Sequence, residues 1–233
     1  MKATQSLFAA LTVYHDHTPR SAAMNMAIDE ALLEISKIPS IRFYGWHSPA
    51  LSFGYFGRFG DVAGYRGERD LVRRWTGGGI VFHGKDLTYS IVIPATDVVF
   101  AESSTSIYEE IHRALIDALN RNGVCTELVE SPHCANRTPQ RGVPTNDCFV
   151  NPVRADVMMD RRKIAGAAQR RTRRGLLQQG SIQGIELGDR LAEQFAHVLS
   201  GNCRERKVDE EILKLARELA EQKYGSENWL RKH

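Results

Sequence analysis

The feature that most limits the fold of this chain is the way its strand-like runs arrive in pairs. Ile41–Trp46 and Leu51–Phe56 are rich in aromatic and branched residues and are separated only by the turn residues His47-Ser48-Pro49. That spacing predicts a hairpin. Ile80–His83 and Leu87–Pro94 predict a second hairpin, turning at Gly84-Lys85-Asp86. Ala155–Met159 and Lys163–Arg170 predict two short strands about a turn at Asp160–Arg162. A doubly wound parallel sheet needs strands that alternate singly with helices. The expectation here is therefore α+β, with mixed or antiparallel sheets and packed helices.

The helical segments are equally plain. In Ser21–Glu34, Met24, Ala27, Ile28, Ala31 and Leu32 recur at helical spacing behind Ser21 as cap. A second helix is expected from Ser106, with Glu109 at capping-box spacing, a stripe of Ile107, Ile111, Leu115 and Leu119, and Gly123 as its stop. Leu191–Leu199 and Glu210–Lys223 are amphipathic, the latter with Ile212, Leu215 and Leu219 on one face. Glu130–Asp147, rich in Pro, Asn, Thr and Cys, reads as an irregular loop. Residues 1–200 are expected to form a catalytic domain and 201–233 a C-terminal helical extension.

Bulk properties exclude several classes. A net charge of +3 is too mild to imply nucleic acid. The run Arg170-Arg171-Thr172-Arg173-Arg174 has no interleaved aromatic, and reads as a solvated turn or as docking for an acidic protein. The apolar stretch Leu7–Val13 is short and leads into His15-Asp16-His17, which suits a strand better than a leader. No apolar run approaches the roughly 20 residues needed to span a bilayer. Cys125, Cys134, Cys148 and Cys203 form no CxxC pair and lack zinc-ligand spacing. Free thiols in a reducing cytoplasmic compartment, no metal, no nucleic acid and no membrane are the expectations.

Two segments carry chemistry. In Arg73-Arg74-Trp75-Thr76-Gly77-Gly78-Gly79-Ile80-Val81-Phe82-His83, three glycines let a backbone come close to a ligand. Either arginine can pair with a phosphate or carboxylate. No Gly-Lys-Ser/Thr follows, so this is not a Walker loop, and the glycines precede a strand rather than open a helix, so it is not a dinucleotide fingerprint. The second segment runs from Asp147-Cys148-Phe149-Val150-Asn151-Pro152 through Asp156 to Arg162-Lys163-Ile164-Ala165-Gly166-Ala167-Ala168-Gln169. A cysteine in a polar, proline-punctuated loop suits a nucleophile, because reactivity needs exposure and nearby positive charge. Cys134 shares that loop, whereas Cys125 lies in a β-type run and Cys203 in a polar connection between helices. Lys163 can hydrogen-bond an acyl carbonyl, and Ala165, Gly166 and Ala167 leave room for a slender apolar chain.

Taken together, Asn25-Met26-Ala27-Ile28-Asp29-Glu30-Ala31, Arg74-x-Thr-Gly-Gly-Gly-x-Val-x-His83, Lys163-x-x-Gly166-x-Ala168-Gln169 and Leu177-Gln178-Gln179-Gly180-Ser181-Ile182 resemble the lipoate–protein ligase and octanoyltransferase family. The resemblance covers roughly Ser21 to Ile182. It implies the catalytic fold shared with biotin–protein ligases. By position it implies that Arg74, Gly77, Gly78, Gly79 and His83 line the acyl pocket, that Gly166 and Ala168 belong to the same binding set, and that Lys163 meets the acyl carbonyl. Cys148 opening Cys-Phe-x-x-Pro, fifteen residues before Lys163, is similar to the cysteine-bearing octanoyltransferase branch. That branch implies transfer through a Cys148 thioester without a cofactor, from acyl carrier protein to a lysine of a lipoyl-domain protein, by a monomer. An ATP-dependent ligase using ATP and Mg is the alternative, with its accessory part on another chain, since only about 50 residues follow Ile182. Gln179 stands where relatives often carry histidine.

Overall fold

Neither expected hairpin forms, because the strands that would close each one have no free edge for the other. The computed structural model describes residues 6–129, 153–186, 188 and 190–232. Eleven strands are defined among them: β1 (Leu11–Arg20), β2 (Ser40–Trp46), β3 (Ala50–Phe53), β4 (Asp70–Arg73), β5 (Ile80–His83), β6 (Leu87–Pro94), β7 (Glu127–Leu128), β8 (Val157–Met159), β9 (Arg162–Arg171), β10 (Gly175–Ile182) and β11 (Cys203–Arg206). The helices are α1 (Ala22–Ile35), α2 (Ser104–Arg121), α3 (Leu191–Leu199), α4 (Glu210–Leu219) and α5 (Glu227–Leu230). A large sheet has the order β11-β1-β2-β6-β10-β9-β8-β7 and a small one the order β4-β3-β5. Strand β2 is flanked by β1, parallel, and β6, antiparallel. Strand β6 is flanked by β2 and β10. Strands β3 and β5, excluded from those edges, pair with each other in the small sheet.

The architecture is α+β with mixed sheets. Its parallel pairs are β1 with β2 across α1, β1 with β11, and β3 with β4. One hairpin does form as expected. At Asp160 and Arg161 the backbone φ angles are +47° and +63°, the left-handed pair that a two-residue turn matched to strand twist requires. It joins β8 to β9 with Met159 opposite Arg162, and β9 runs longer than the short strand expected.

Helix α1 starts at Ser21, whose hydroxyl accepts from the Met24 amide. It buries Met26, Ala27, Ile28, Ala31 and Leu32 against Tyr44, Val92 and Leu177 of the large sheet, with Ile212 and Ala216 of α4 in the same cluster. On the opposite face Ile107, Ile111, Leu115 and Leu119 of α2, with Phe195 and Leu199 of α3, pack on Phe43, Tyr89, Ile91 and Leu176. Each such buried side chain contributes about 1.5–3 kcal/mol. The α2 cap is Ser103 rather than Ser106: its hydroxyl accepts from the Ser106 amide, so the helix begins earlier. Gly123 ends it at φ +78°.

Cys203 lies in the connection between α3 and α4, as expected, but that connection forms edge strand β11, and Cys125 is exposed just before β7. Residues 201–232 thus add one strand to the large sheet and place α4 on α1. Among the described residues no helix is long and apolar enough to cross a membrane.

Candidate functional site

Strands β9 and β10 form one wall of a pocket where the two sheets meet. Gly166, Ala167 and Ala168 come from β9, and Gln179, Gly180 and Ser181 from β10. Met26, Tyr44 and Trp46 form the apolar side; Ser52, Val81 and His83 reach in from the small sheet, with Arg74 and Lys163 at the polar positions. The space, counted to its open mouth, is about 460 Å³. The glycine and alanine wall leaves room for a slender apolar ligand, and Arg74 and Lys163 offer partners for one polar end.

Lys163 is held in place by its neighbours. Its Nζ lies 2.7 Å from Asp156 Oδ2, and both side chains are buried. The side chain crosses directly over Gly166, where a Cβ would meet Lys163 Cε at 2.4 Å and Nζ at 2.5 Å. Asp156 is itself fixed by the Tyr108 hydroxyl at 2.6 Å and the Val153 amide at 2.7 Å. Burial, then the charge of Asp156, pushes the Tyr108 phenol far above its usual range, so it remains a donor. Behind them His112 joins the Ala155 carbonyl to the Tyr89 hydroxyl, and burial drives it down to about 4. The result is a cation aimed across the pocket wall by two helix α2 residues and a carboxylate.

The glycine loop is organised by Arg74. Its guanidinium donates to Ser52 Oγ at 2.6 Å and to the carbonyls of Gly77 and Gly79 at 3.1 and 2.9 Å. The loop therefore turns the carbonyls of Gly77 and Gly79 toward the buried cation. Gly78 sits at φ +83°, and Gly54 beneath it has no room for a Cβ, which would fall 2.0 Å from the Gly78 carbonyl oxygen.

His83 continues this line. Its Nδ1 lies 2.7 Å from Asp86 and its Nε2 2.7 Å from Ser52 Oγ, while the ring stacks on Trp46 at 4.0 Å. Burial by itself would raise the Asp86 carboxyl; bonds from His83, Gly84 and Thr88 outweigh it and hold it at about 2. Burial lowers His83, so the ring is neutral. The Nδ1 proton then faces Asp86, and the Ser52 proton must go to Nε2, because Arg74 donates to the other side of that oxygen. Both nitrogens of His83 are thereby engaged.

Helix α1 enters through Asp29. Its carboxylate accepts from Arg42, Ser90, Tyr44 and Gln179, at 2.9, 2.7, 3.0 and 2.7 Å. Gln179 also accepts from Thr76 at 2.8 Å, which ties α1 to the start of the glycine loop through β10. Arg73 plays no part in the pocket: its guanidinium donates to the carbonyls of Tyr55, Gly57, Trp229 and Leu230 and anchors α5.

Of the site residues expected from sequence, Arg74, His83, Lys163, Gly166 and Ala168 line one pocket. Gly77, Gly78 and Gly79 stand behind Arg74. Cys148 lies outside the described residues, as do Cys134 and the rest of 130–152. Ser52, Asp86, Tyr108 and the bridging role of Gln179 were not foreseen; Tyr108 reaches Asp156 from 48 positions away and leaves no local signal. Among the described residues no group of three His, Cys, Asp or Glu side chains is placed to hold a metal ion.

Residues 21–221 match the lipoyl protein ligase A/B catalytic domain. The octanoyltransferase LipM of Oceanobacillus iheyensis is 37% identical over 72% of this chain and 62% of its own length. That of Brevibacillus brevis is 30% identical over 81% of this chain and 71% of its own. The chain thus spans about three fifths to seven tenths of the length of these relatives. A putative lipoate protein ligase from Thermoplasma acidophilum, solved with bound lipoic acid, has the same fold: TM-score 0.73 at 22% identity, covering 96% of this chain and 99% of that one.

Proposed function

Because this chain belongs to the lipoyl protein ligase A/B catalytic-domain family, we propose that it transfers an octanoyl or lipoyl group to a specific lysine of a lipoyl-domain carrier protein through a thioester on Cys148. The observation that carries the reading is the buried Lys163, braced by Asp156 and folded over Gly166 at the glycine- and alanine-lined wall of the pocket. The octanoyltransferase relatives support it.

The Cys148 thiolate attacks the thioester of acyl carrier protein, and the carrier thiolate leaves and takes up a proton. Lys163 donates to the carbonyl oxygen as it becomes an oxyanion, a contact whose loss costs about 100- to 1000-fold in rate. The acceptor lysine then attacks as a neutral amine, which at its ordinary pKa near 10.4 is on the order of one molecule in a thousand at neutral pH. Collapse expels the Cys148 thiolate, which receives the amine proton. Since both His83 nitrogens are engaged, His83 serves as a positioning residue that fixes Ser52 and Arg74, and Lys163 with Cys148 handles the protons. Six methylenes of an octanoyl chain at about 0.8 kcal/mol each contribute roughly 5 kcal/mol to holding it. The reaction needs no ATP or Mg and takes place in the cytoplasm.

Intact-protein mass spectrometry after incubation with octanoyl-acyl carrier protein, without ATP, tests this. An octanoyl adduct on the wild type, absent from Cys148→Ala and discharged by a lipoyl-domain acceptor, is the expected result. No adduct, with ATP-dependent modification of the acceptor by free lipoate, sinks the thioester route and moves the chain to the ligases.

A further inference from the structure

Beside the glycine loop, outside the pocket already described, three cations and three aromatic rings close into a ring of contacts. Arg170 Cζ lies 5.1 Å from the Tyr55 ring centroid and 5.2 Å from that of Trp75. Lys223 Nζ lies 4.2 Å from the Trp75 ring and 4.5 Å from Trp229. Lys232 Nζ completes the circuit at 5.1 Å from Trp229 and 5.0 Å from Tyr55, whose hydroxyl it also meets at 2.9 Å. Each ring is thus shared by two cations.

Like charges gather this closely only against a counter-charge. Among the described residues the cluster has one, Glu30, 2.5 Å from Lys223. Three cations against one carboxylate leave a net charge of +2. Among the described residues Arg170 and Lys232 make no ion pair, and the buried Nε of Arg170 has no hydrogen-bond partner. The crowding is felt: burial first, then Arg170 and Lys232, lowers the Lys223 ammonium against the pull of Glu30. The hydrogen bond and charge of Lys232, with Arg170 and Lys223, lower the Tyr55 phenol.

The cluster is continuous with the pocket. On the paired strands Ala168 stands opposite Gln179 and Arg170 opposite Leu177. Gln179 lines the pocket and Leu177 packs with α1. Side chains two apart on a strand share a face, so Arg170 follows Ala168 on the pocket side, about 7 Å further out. Trp75 immediately precedes Thr76 and the glycines. An anion here would sit at the outer end of the channel whose wall is Gly166 and Ala168.

We propose that Arg170, Lys223 and Lys232, framed by Tyr55, Trp75 and Trp229, form a phosphate-binding rim that holds the phosphate of the pantetheine arm by which the acyl donor is presented. This rests on the reading of the donor as a carrier-bound thioester. Guanidinium and ammonium groups on aromatic plates, partly desolvated, bind a phosphate oxygen by charge-assisted hydrogen bonds, and the arm's length sets the acyl group in the channel while its phosphate stays at the rim.

Binding to the full chain is measured by isothermal titration with 4′-phosphopantetheine, pantetheine, AMP and adenosine, so that the outcome does not depend on catalysis. The expected result is saturable binding of 4′-phosphopantetheine about tenfold or more tighter than pantetheine, as one charge-assisted contact gives. It weakens steeply with salt and is lost in Arg170→Gln and in Lys232→Gln. Equal binding of the phosphorylated and unphosphorylated arms by the wild type overturns the proposal without reference to any variant. So does phosphate-dependent binding of AMP alone, or binding that neither substitution changes. Acyl-adduct formation on Cys148 is scored separately, and its failure leaves the titration result standing.

Discussion

Gly166→Ala separates the chemical role of Lys163 from the stability of the fold. A Cβ at position 166 would lie 2.4 Å from Lys163 Cε and 2.5 Å from Nζ, with Asp156 Oδ1 at 3.1 Å. Carbon atoms rest about 3.5 Å or more apart, so Cε must retreat by about 1.1 Å. A movement of that size, made by pivoting about Asp156 Oδ2 so that the 2.7 Å ion pair is kept, withdraws the ammonium from the pocket wall. The atoms displaced are the far end of a flexible side chain, and alanine orders the unfolded strand slightly, so the net change in stability stays within about 1 kcal/mol. The rate should fall about 100-fold or more, the loss of one oxyanion donor. Gly180→Ala is the contrast: its Cβ would meet the Tyr89 ring at 2.2 Å. A buried aromatic cannot swing aside, so overpacking there costs about 1–3 kcal/mol or more. Single-turnover acyl-enzyme formation followed by mass, beside urea denaturation of each variant, reads both quantities. A Gly166→Ala protein with wild-type rate, or one that loses rate only as far as it loses stability, would refute the claim that Lys163 works from its position over Gly166.

The remaining predictions concern the groups that surround this site. Asp156→Asn leaves a buried ammonium without its carboxylate and should cost about 3–5 kcal/mol in denaturant unfolding, with transfer slowed as well; a variant as stable as wild type removes Asp156 from the argument. His112 is held at about 4 in the fold against about 6.5 when unfolded. The unfolded chain therefore binds the extra proton between these values, so stability is complete above pH 6.5 and falls by up to about 1.4 kcal/mol per pH unit as pH drops toward 4. His83, lowered in the same direction, adds to that loss; His112→Gln should flatten the slope of stability against pH, and an unchanged slope counts against the assignment. Arg73→Gln should free α5, seen as faster amide exchange over 227–232, whereas Arg74→Gln should weaken acyl binding and leave α5 protected.

The fold was legible where a segment's structure depends on neighbours in sequence. Ser21 and the stripe of α1, the spacing of Ile107, Ile111, Leu115 and Leu119, and the turn at Asp160–Arg161 are local decisions of cap, periodicity and dihedral angle. The two expected hairpins failed because edge availability is not local. Strand β2 has both edges taken by β1 and β6, partners brought to it by α1 and by a chain reversal some 40 residues later, so β3 must leave the sheet. Cys203 shows the same effect at the other end. Nothing in Cys-Arg-Glu-Arg marks a strand, and it becomes one only because β1 offers a free parallel edge.

The site was legible in its residues and not in their wiring. Lys163, Gly166, Arg74 and His83 can be picked out as a set, yet adjacency suggested that Arg73 and Arg74 were interchangeable. Strand alternation sends them to opposite sides: Arg74 into the pocket, Arg73 under α5. The glycines suggested a backbone close to a ligand, and the part their spacing did not show is the guanidinium that holds the carbonyls of Gly77 and Gly79. Gln179 poses the same kind of problem. Where a histidine could exchange protons, an amide can only donate to Asp29 and accept from Thr76. Its contribution is to lock α1 to the glycine loop, and in the proposed mechanism the proton chemistry falls instead to Lys163, which stands over Gly166 on the neighbouring strand β9 of the same wall.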